Sequence, residues 1–401
     1  MKKTLVASAL VAVIFVPSVS AIEVYKDDKN AVEIGGFVDA RIINTQGVTE
    51  IVNGASRINF GFTREMSDGW KVFTKLEWGV NPFGNSEIVY SSESNFQSKS
   101  SDFLNNRLGY VGIAHDVYGS LTIGKQWSTW YDVVYNTNYG LVWDGNASGT
   151  YTYKADGGIN GTGRGDDTVQ YRNSVGDLSF GVQVQLKHDS FDITGDPEVI
   201  HSVGTGSAAI KASDPTVIAS LEYNNTYGGA ATYNVTDNLI FTAGFNIGEF
   251  KGAFANGQAI NETDSIYGLG AMWGNWNGEG VYAAFNVNKQ EYHDTDNLGR
   301  MVPEATGLES LVSYKFNNGI RTFASYNILE AGDDYESAYK GDEFKRQFAV
   351  VGVHYVWDAN TVLYLEGRKD YGNFTSNDAV QEAAMSMSEE DGVGFGVRYI
   401  M

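Results

Sequence analysis

A chain of 401 residues with 49 acidic against 28 basic side chains carries a formal charge of −21, which excludes nucleic acid as a partner, because phosphate binding needs a basic face. It has no cysteine, so no disulfide holds it together. Forty-seven glycines, 24 tyrosines and 21 phenylalanines against 5 prolines fit an all-β chain.

Taken in chain order, the first element is MKKTLVASALVAVIFVPSVSA. Lys2 and Lys3 form a positive start, Leu5 to Val16 an apolar stretch, and Val19-Ser20-Ala21 a small-residue cleavage site. Residues 1–21 therefore read as a secretory signal peptide, with the mature chain starting at Ile22 and carrying a formal charge of −23. Beyond it no apolar run approaches the roughly 18 residues that a spanning helix needs. No Pro- or Ser-rich linker divides residues 22–401, which read as one domain.

Two-residue alternation then recurs along the chain. Val32, Ile34, Gly36, Val38, Ala40 and Ile42 share one face. Trp70 to Val80 alternates in the same way, with Lys71, Phe73, Lys75 and Glu77 opposite. Leu178, Phe180, Val182, Val184 and Leu186 share a face, against Ser179, Gly181, Gln183, Gln185 and Lys187. A strand with that pattern separates apolar from polar side chains completely. Later strands repeat it, and the last sets Val393, Phe395, Val397, Tyr399 and Met401 against Gly392, Gly394, Gly396 and Arg398.

The pattern predicts strands near 32–43, 55–65, 69–80, 105–115, 119–126, 166–174, 177–189, 216–235, 238–250, 265–276, 280–292, 307–316, 320–330, 346–357, 361–371 and 391–401, sixteen in all, although 216–235 could be divided. Short turns rich in Asn, Asp and Gly alternate with long acidic loops. A soluble sandwich would share the two-residue period but would not need one rim of short turns and one of long loops. Aromatics at strand ends (Trp70, Trp78, Tyr171, Tyr233, Trp276, Tyr355, Trp357, Tyr399) fit interfacial girdles. The expected fold is all-β: a 16-stranded antiparallel transmembrane β-barrel whose apolar faces meet lipid and whose polar faces meet a wet lumen.

Four segments carry a family resemblance: "AVEIGGFVDARI", "SRINFGFTREMSDGWKVFTKLEW", "NNRLGYVGIAHDVYGSLTIGKQWSTWYDV" and "VQYRNSVGDLSFGVQVQ". Together they resemble the general porins of Gram-negative outer membranes over about the first half of the mature chain. The resemblance implies a homotrimer in the outer membrane, in contact with lipid and lipopolysaccharide, passing small hydrophilic solutes by diffusion. It also implies a loop after the fifth strand, here 127–165, folded into the lumen. Arginines of the wall would face carboxylates of that loop. By motif, Arg57, Arg107 and Arg172 fall on the arginine positions. Successive members would stand about 10 Å apart across the sheet. Arg57 and Arg172 lie in a polar phase, whereas Arg107 shares its phase with Val111 and Ile113.

"LVWDGNASG" stands roughly where enterobacterial members carry Pro-Glu-Phe-Gly-Gly. Asp144 is the leading acidic candidate, followed by Asp132 and by Glu77 on the wall. Opposed charges across a narrow wet gap make a transverse field that orients polar solutes and retards apolar ones. The acidity of the remaining lumen and rims predicts weak cation selectivity. Trp127, Trp130 and Trp143 fall in the same loop, where they either stack sugar rings, making a saccharide-selective channel, or pin the loop to the wall.

Five scattered histidines form no metal-ligand spacing, no Gly-x-Ser-x-Gly elbow occurs, and neither an enzyme nor a cofactor is expected. "RGD" at Arg164 to Asp166 raises the alternative of a non-conducting adhesive barrel. The acidic loops could hold divalent cations that bridge to lipopolysaccharide, without any defined calcium loop.

Overall fold

The structure, a computed structural model, describes residues 21–401 apart from 46, 85–102, 154, 187–190, 196–215, 255–256, 380 and 383–390. The leader, the end of the strand expected to reach 189 and much of the last long loop lie outside the described residues.

Sixteen antiparallel strands close into a barrel. They are β1 Asn30–Thr45, β2 Arg57–Glu65, β3 Trp70–Val80, β4 Leu104–His115, β5 Gly119–Trp127, β6 Arg164–Val175, β7 Leu178–Gln185 and β8 Thr216–Thr236. The circuit continues with β9 Leu239–Phe254, β10 Ala259–Trp273, β11 Gly280–Glu291, β12 Glu304–Lys315, β13 Ile320–Ala331, β14 Glu343–Val356, β15 Thr361–Asp370 and β16 Gly392–Ile400. Each pairs with the next, and β16 pairs with β1, Phe37 opposite Ile400 and Thr45 opposite Gly392. Closure removes every sheet edge, which a membrane span requires. The stretch 216–235 is one strand, bent by a register shift between Tyr223 and Thr226. Four short strands, Ile22–Lys26, Val48–Asn53, Phe191–Gly195 and Asn373–Thr375, extend the sheet outside the circuit.

The two faces follow the alternation. On β7, Leu178 and Val182 are exposed, whereas Gln183 and Gln185 are buried inside. On β16, Val393, Phe395, Val397 and Tyr399 face out. Short turns such as 66–69, 176–177 and 357–360 mark one rim. The connections at the other rim are longer, except 255–258, where β9 and β10 themselves continue the hairpin.

Two expectations need correction. Trp276 is not an interfacial aromatic: from the turn between β10 and β11 it folds inward and stacks on Tyr139, with centroids 4.4 Å apart and planes at 8°. Arg321 covers its ring at 4.0 Å. Arg107 is not out of phase: Glu77 pairs with Leu108 and Trp78 with Asn106, so Arg107 sits on a β-bulge. The extra residue resets the two-residue count, leaving Arg107 and Leu108 both buried while Val111 and Ile113 stay exposed.

Candidate functional site: a charged gap inside the barrel

Between β5 and β6, residues 128–163 fold into the lumen rather than over the rim, and most of them are buried. The segment leaves β5 through Thr129, whose amide donates to Gln183 Oε1 of β7 (2.8 Å). One short helical turn, Tyr131–Val134, follows.

The segment is then seated on the wall formed by β8–β15. Glu366 of β15 accepts the amides of Leu141 (2.7 Å) and Val142 (2.9 Å), and more weakly that of Trp143 (3.3 Å). His354 of β14 meets the same Glu366 oxygen as the Leu141 amide, Oε1 (2.8 Å). Glu309 of β12 accepts the Thr137 hydroxyl (2.6 Å) and the amides of Ala147 and Ser148 (2.9 Å each). Asp264 of β10 accepts the Asn160 side-chain amide (3.1 Å). These wall carboxylates satisfy loop donors that would otherwise lack partners away from water.

Apolar packing completes the seat. Val142 and Trp143 join Tyr282, Leu311, Phe323, Phe348, Val350 and Tyr364 of the wall. The inner surface is thinned to receive the loop: a Cβ on Gly307 of β12 would stand 2.0 Å from the Ala147 carbonyl oxygen, and one on Gly394 of the adjoining β16 2.8 Å from Val142 Cγ1.

Strands β1–β6 and β16 present the charged wall. Glu77 of β3 takes Arg107 Nε at 2.8 Å and Arg57 Nη1 at 3.7 Å. Asp39 of β1 takes Arg398 at 2.7 Å and Arg41 at 3.4 Å, and the Tyr364 hydroxyl donates to it. Arg57, Arg107 and Arg164 lie close enough to repel one another. Guanidinium groups thus outnumber the carboxylates that pair with them here.

The sequence-predicted residues divide accordingly. Arg57, Arg107 and Glu77 come together. Arg172 does not join them. Arg57 and Arg107 each stand eight residues from the short-turn ends of their strands, at Glu65 and His115, but Arg172 stands only three from Val175. Five residues of strand is about 16 Å. Arg172 instead pairs with Asp132 at the start of the loop, and its Nε donates to Gln170 (3.2 Å). The third guanidinium beside Arg57 and Arg107 is that of Arg164, in the "RGD" tripeptide. That tripeptide is internal, with Arg164 Nε 3.3 Å from Asp156 and Asp166 held by Lys125 at 2.5 Å.

Asp144 lies on the loop between the two walls and feels the opposite charge of Arg398 and Arg41. Burial pushes its carboxyl up to about 7, with Glu366 adding to the rise and the two arginines opposing it. The Asn138 amide, turned to satisfy both of its ends, donates to Asp144 at 3.0 and 3.2 Å. Asp132, paired with Arg172, lies apart from this pairing.

The three loop tryptophans form no track. Trp130 and Trp143 are buried, Trp130 donating from Nε1 to the Ser148 carbonyl (2.9 Å). Trp127 alone is partly open, stacked on Tyr131 at 4.0 Å with Arg164 over its ring at 5.3 Å.

Sequence reasoning missed Arg164, Asp39, Arg41, Glu309, Glu366 and Asp264. The inward phase of β1 was a signal for Asp39 and Arg41, since they alternate with Val38, Ala40 and Ile42. Glu309 and Glu366 share that inward phase on β12 and β15, but nothing local shows that their partners are loop amides.

Fold and lumen together define a transmembrane β-barrel channel narrowed by an internal loop. The family model described as Gram-negative porin matches residues 7–399, and the chain belongs to that family, as a passive channel of the outer membrane. It is 24% identical to outer membrane porin C of Enterobacter cloacae, over 99% of each chain. The structure of Salmonella typhi OmpF, in complex with daunomycin, superposes with a TM-score of 0.66 at 18% identity, covering 95% of this chain and all of that one. The trimer form of Vibrio cholerae OmpT superposes at 0.59 and 15% identity, covering 93% and 100%.

Proposed function

We propose that solutes cross this channel through the gap between the arginine wall (Arg57, Arg107 and Arg164, with Arg41 and Arg398) and the loop carrying Asp144. The observation behind this reading is the division of polar partners: loop amides are taken up by Glu309 and Glu366, while the guanidinium groups of Arg57, Arg107, Arg164, Arg41 and Arg398 stand on β1–β6 and β16. Such an arrangement orients a small hydrophilic solute by its dipole, and water held in the field resists displacement by apolar ones. The −23 charge of the mature chain favours cations at the rims and in the wider lumen, so the channel is weakly cation-selective.

The working unit is a homotrimer set among lipid and lipopolysaccharide, a reading supported by likeness to the OmpT trimer form. The protein catalyses no reaction in this scheme. A saccharide track finds little support, because two of its three tryptophans are committed to seating the loop. Planar-bilayer recording under a KCl gradient tests the reading. Currents rising in steps of three with a small cation-selective reversal potential are expected. A correctly folded barrel that passes no current would overturn it.

A further inference from the structure

The inward fold of Trp276 has a cause in the stretch "MWGNWNGEG", residues 272–280. Trp273, the last residue of β10, is exposed on the outer face and already serves as the interfacial aromatic of this strand end. Gly274 follows with φ at +86°, where a Cβ would stand 2.2 Å from the Val281 carbonyl oxygen, so only glycine allows the chain to turn here. The turn braces itself: the Asn277 amide donates to Asn275 Oδ1 (2.9 Å) and the Gly278 amide to the Asn275 carbonyl (3.0 Å). Lys315 Nζ donates to the Asn277 carbonyl (2.8 Å).

From this rim Trp276 reaches the constriction loop. Its ring stacks on Tyr139 and is covered by Arg321, whose Nη2 also donates to the Trp276 carbonyl oxygen (2.7 Å). A ring that already carries a stacked and a cationic partner serves the loop rather than a passing solute. Tyr282 of β11 meets Tyr139 and Trp276 edge-on, at 5.6 and 5.7 Å, and its hydroxyl donates to the Asn136 carbonyl oxygen (2.6 Å). The segment 136–139 held in this way contains Asn138, whose side-chain amide donates to Asp144. Glu366 grips the loop only beyond Gly140, from Leu141 onward.

We infer that Trp276 is a positioning residue for the conducting gap. The β10–β11 turn is a strut that enters the lumen from the short-turn rim and fixes Tyr139 and Asn138, and through Asn138 the carboxylate of Asp144. The inference rests on the gap between Asp144 and the arginine wall being the conducting path.

Single-channel recording in KCl compares the parent with Trp276→Ala, Tyr139→Ala, the double variant and Trp276→Phe. In Trp276→Ala the time spent at altered current levels, relative to the main open level, is expected to rise on the order of tenfold as the stacking and cation–π contacts are lost. Tyr139→Ala should raise it by a similar factor and the double variant no further, because both remove one contact. Trp276→Phe keeps a ring against Tyr139 and should recover most of the quiet trace. A role confined to barrel stability predicts earlier unfolding in denaturant with a quiet channel, and independent roles predict effects of Trp276 and Tyr139 that multiply. Either result would overturn the inference. Should Trp276→Ala fail to give a folded barrel, Tyr139→Ala carries the test from the loop, outside the barrel wall, and a quiet Tyr139→Ala channel would be contrary. Absence of any KCl current in the parent protein would refute the channel reading instead.

Discussion

Glu77 on β3 and Glu366 on β15 are both almost fully buried glutamates on the inner face of one barrel, and they are used in opposite ways. Glu77 meets two guanidinium groups and remains part of a charged surface turned to the gap. Glu366 meets backbone amides of the loop and a histidine, and its charge is spent on holding a segment in place. In the proposed reading, the wall at β8–β15 positions the constriction, whereas the wall at β1–β6 and β16 supplies the field. Composition alone does not distinguish the two, because each draws on acidic residues in inward phase.

The largest effect is expected where the seat is broken. Glu366→Ala removes the acceptor of two well-formed amide bonds, each worth about 1.5–3 kcal/mol when the partner is charged. Unseated loop conformers should then gain on the order of a hundredfold or more. Single-channel recording should show a larger and noisier conductance; an unaltered trace would mean the seat does not depend on Glu366. Glu77→Ala acts on the other wall. Leaving Arg57 and Arg107 without their carboxylate costs about 3–5 kcal/mol, as for other broken buried pairs. Unfolding in denaturant should come earlier, and the reversal potential under a KCl gradient should move toward anions while loop noise stays low.

The contrast between the walls also explains what could be read from the sequence. The sixteen strands and their two faces were legible because lipid outside and water inside impose a strict period of two, as in Leu178 to Gln185. Arg57, Glu77 and Asp144 were legible for the same reason or through the motif. Arg164 was not, because it stands at the first residue of β6 where alternation fades, while Arg172 sits in the conspicuous "YRNS" block a turn-length from the opposite rim. Arg107 looked ambiguous because a bulge adds one residue to the count. Glu309 and Glu366 lie in the inward phase of β12 and β15, but nothing local marks what they bind. Their partners are backbone amides some 160 and 220 residues away in the chain, a relation only the closed barrel creates.

Smaller effects sharpen the comparison. The Asp144 carboxyl, raised to about 7, is charged above that pH and neutral below it. Cation preference should therefore fall as pH drops from 8 to 6, and Asp144→Asn should remove this dependence, measured as reversal potential at each pH. Arg172→Gln should change selectivity least, since that side chain lies near the short-turn rim with Asp132, outside the row of Arg57, Arg107 and Arg164. A shift as large as that of Glu77→Ala would return Arg172 to the charged wall.

The most direct measurement uses a chain that has no cysteine of its own. Asp144→Cys places a single thiol on the loop face opposite the arginine wall. Small thiol reagents of equal size and opposite charge can then be added to conducting channels in a bilayer. If Asp144 faces Arg41 and Arg398 across the conducting gap, the anionic reagent reacts faster than the cationic one and each modification reduces the current. Equal rates, or complete modification with no change in current, would contradict the account.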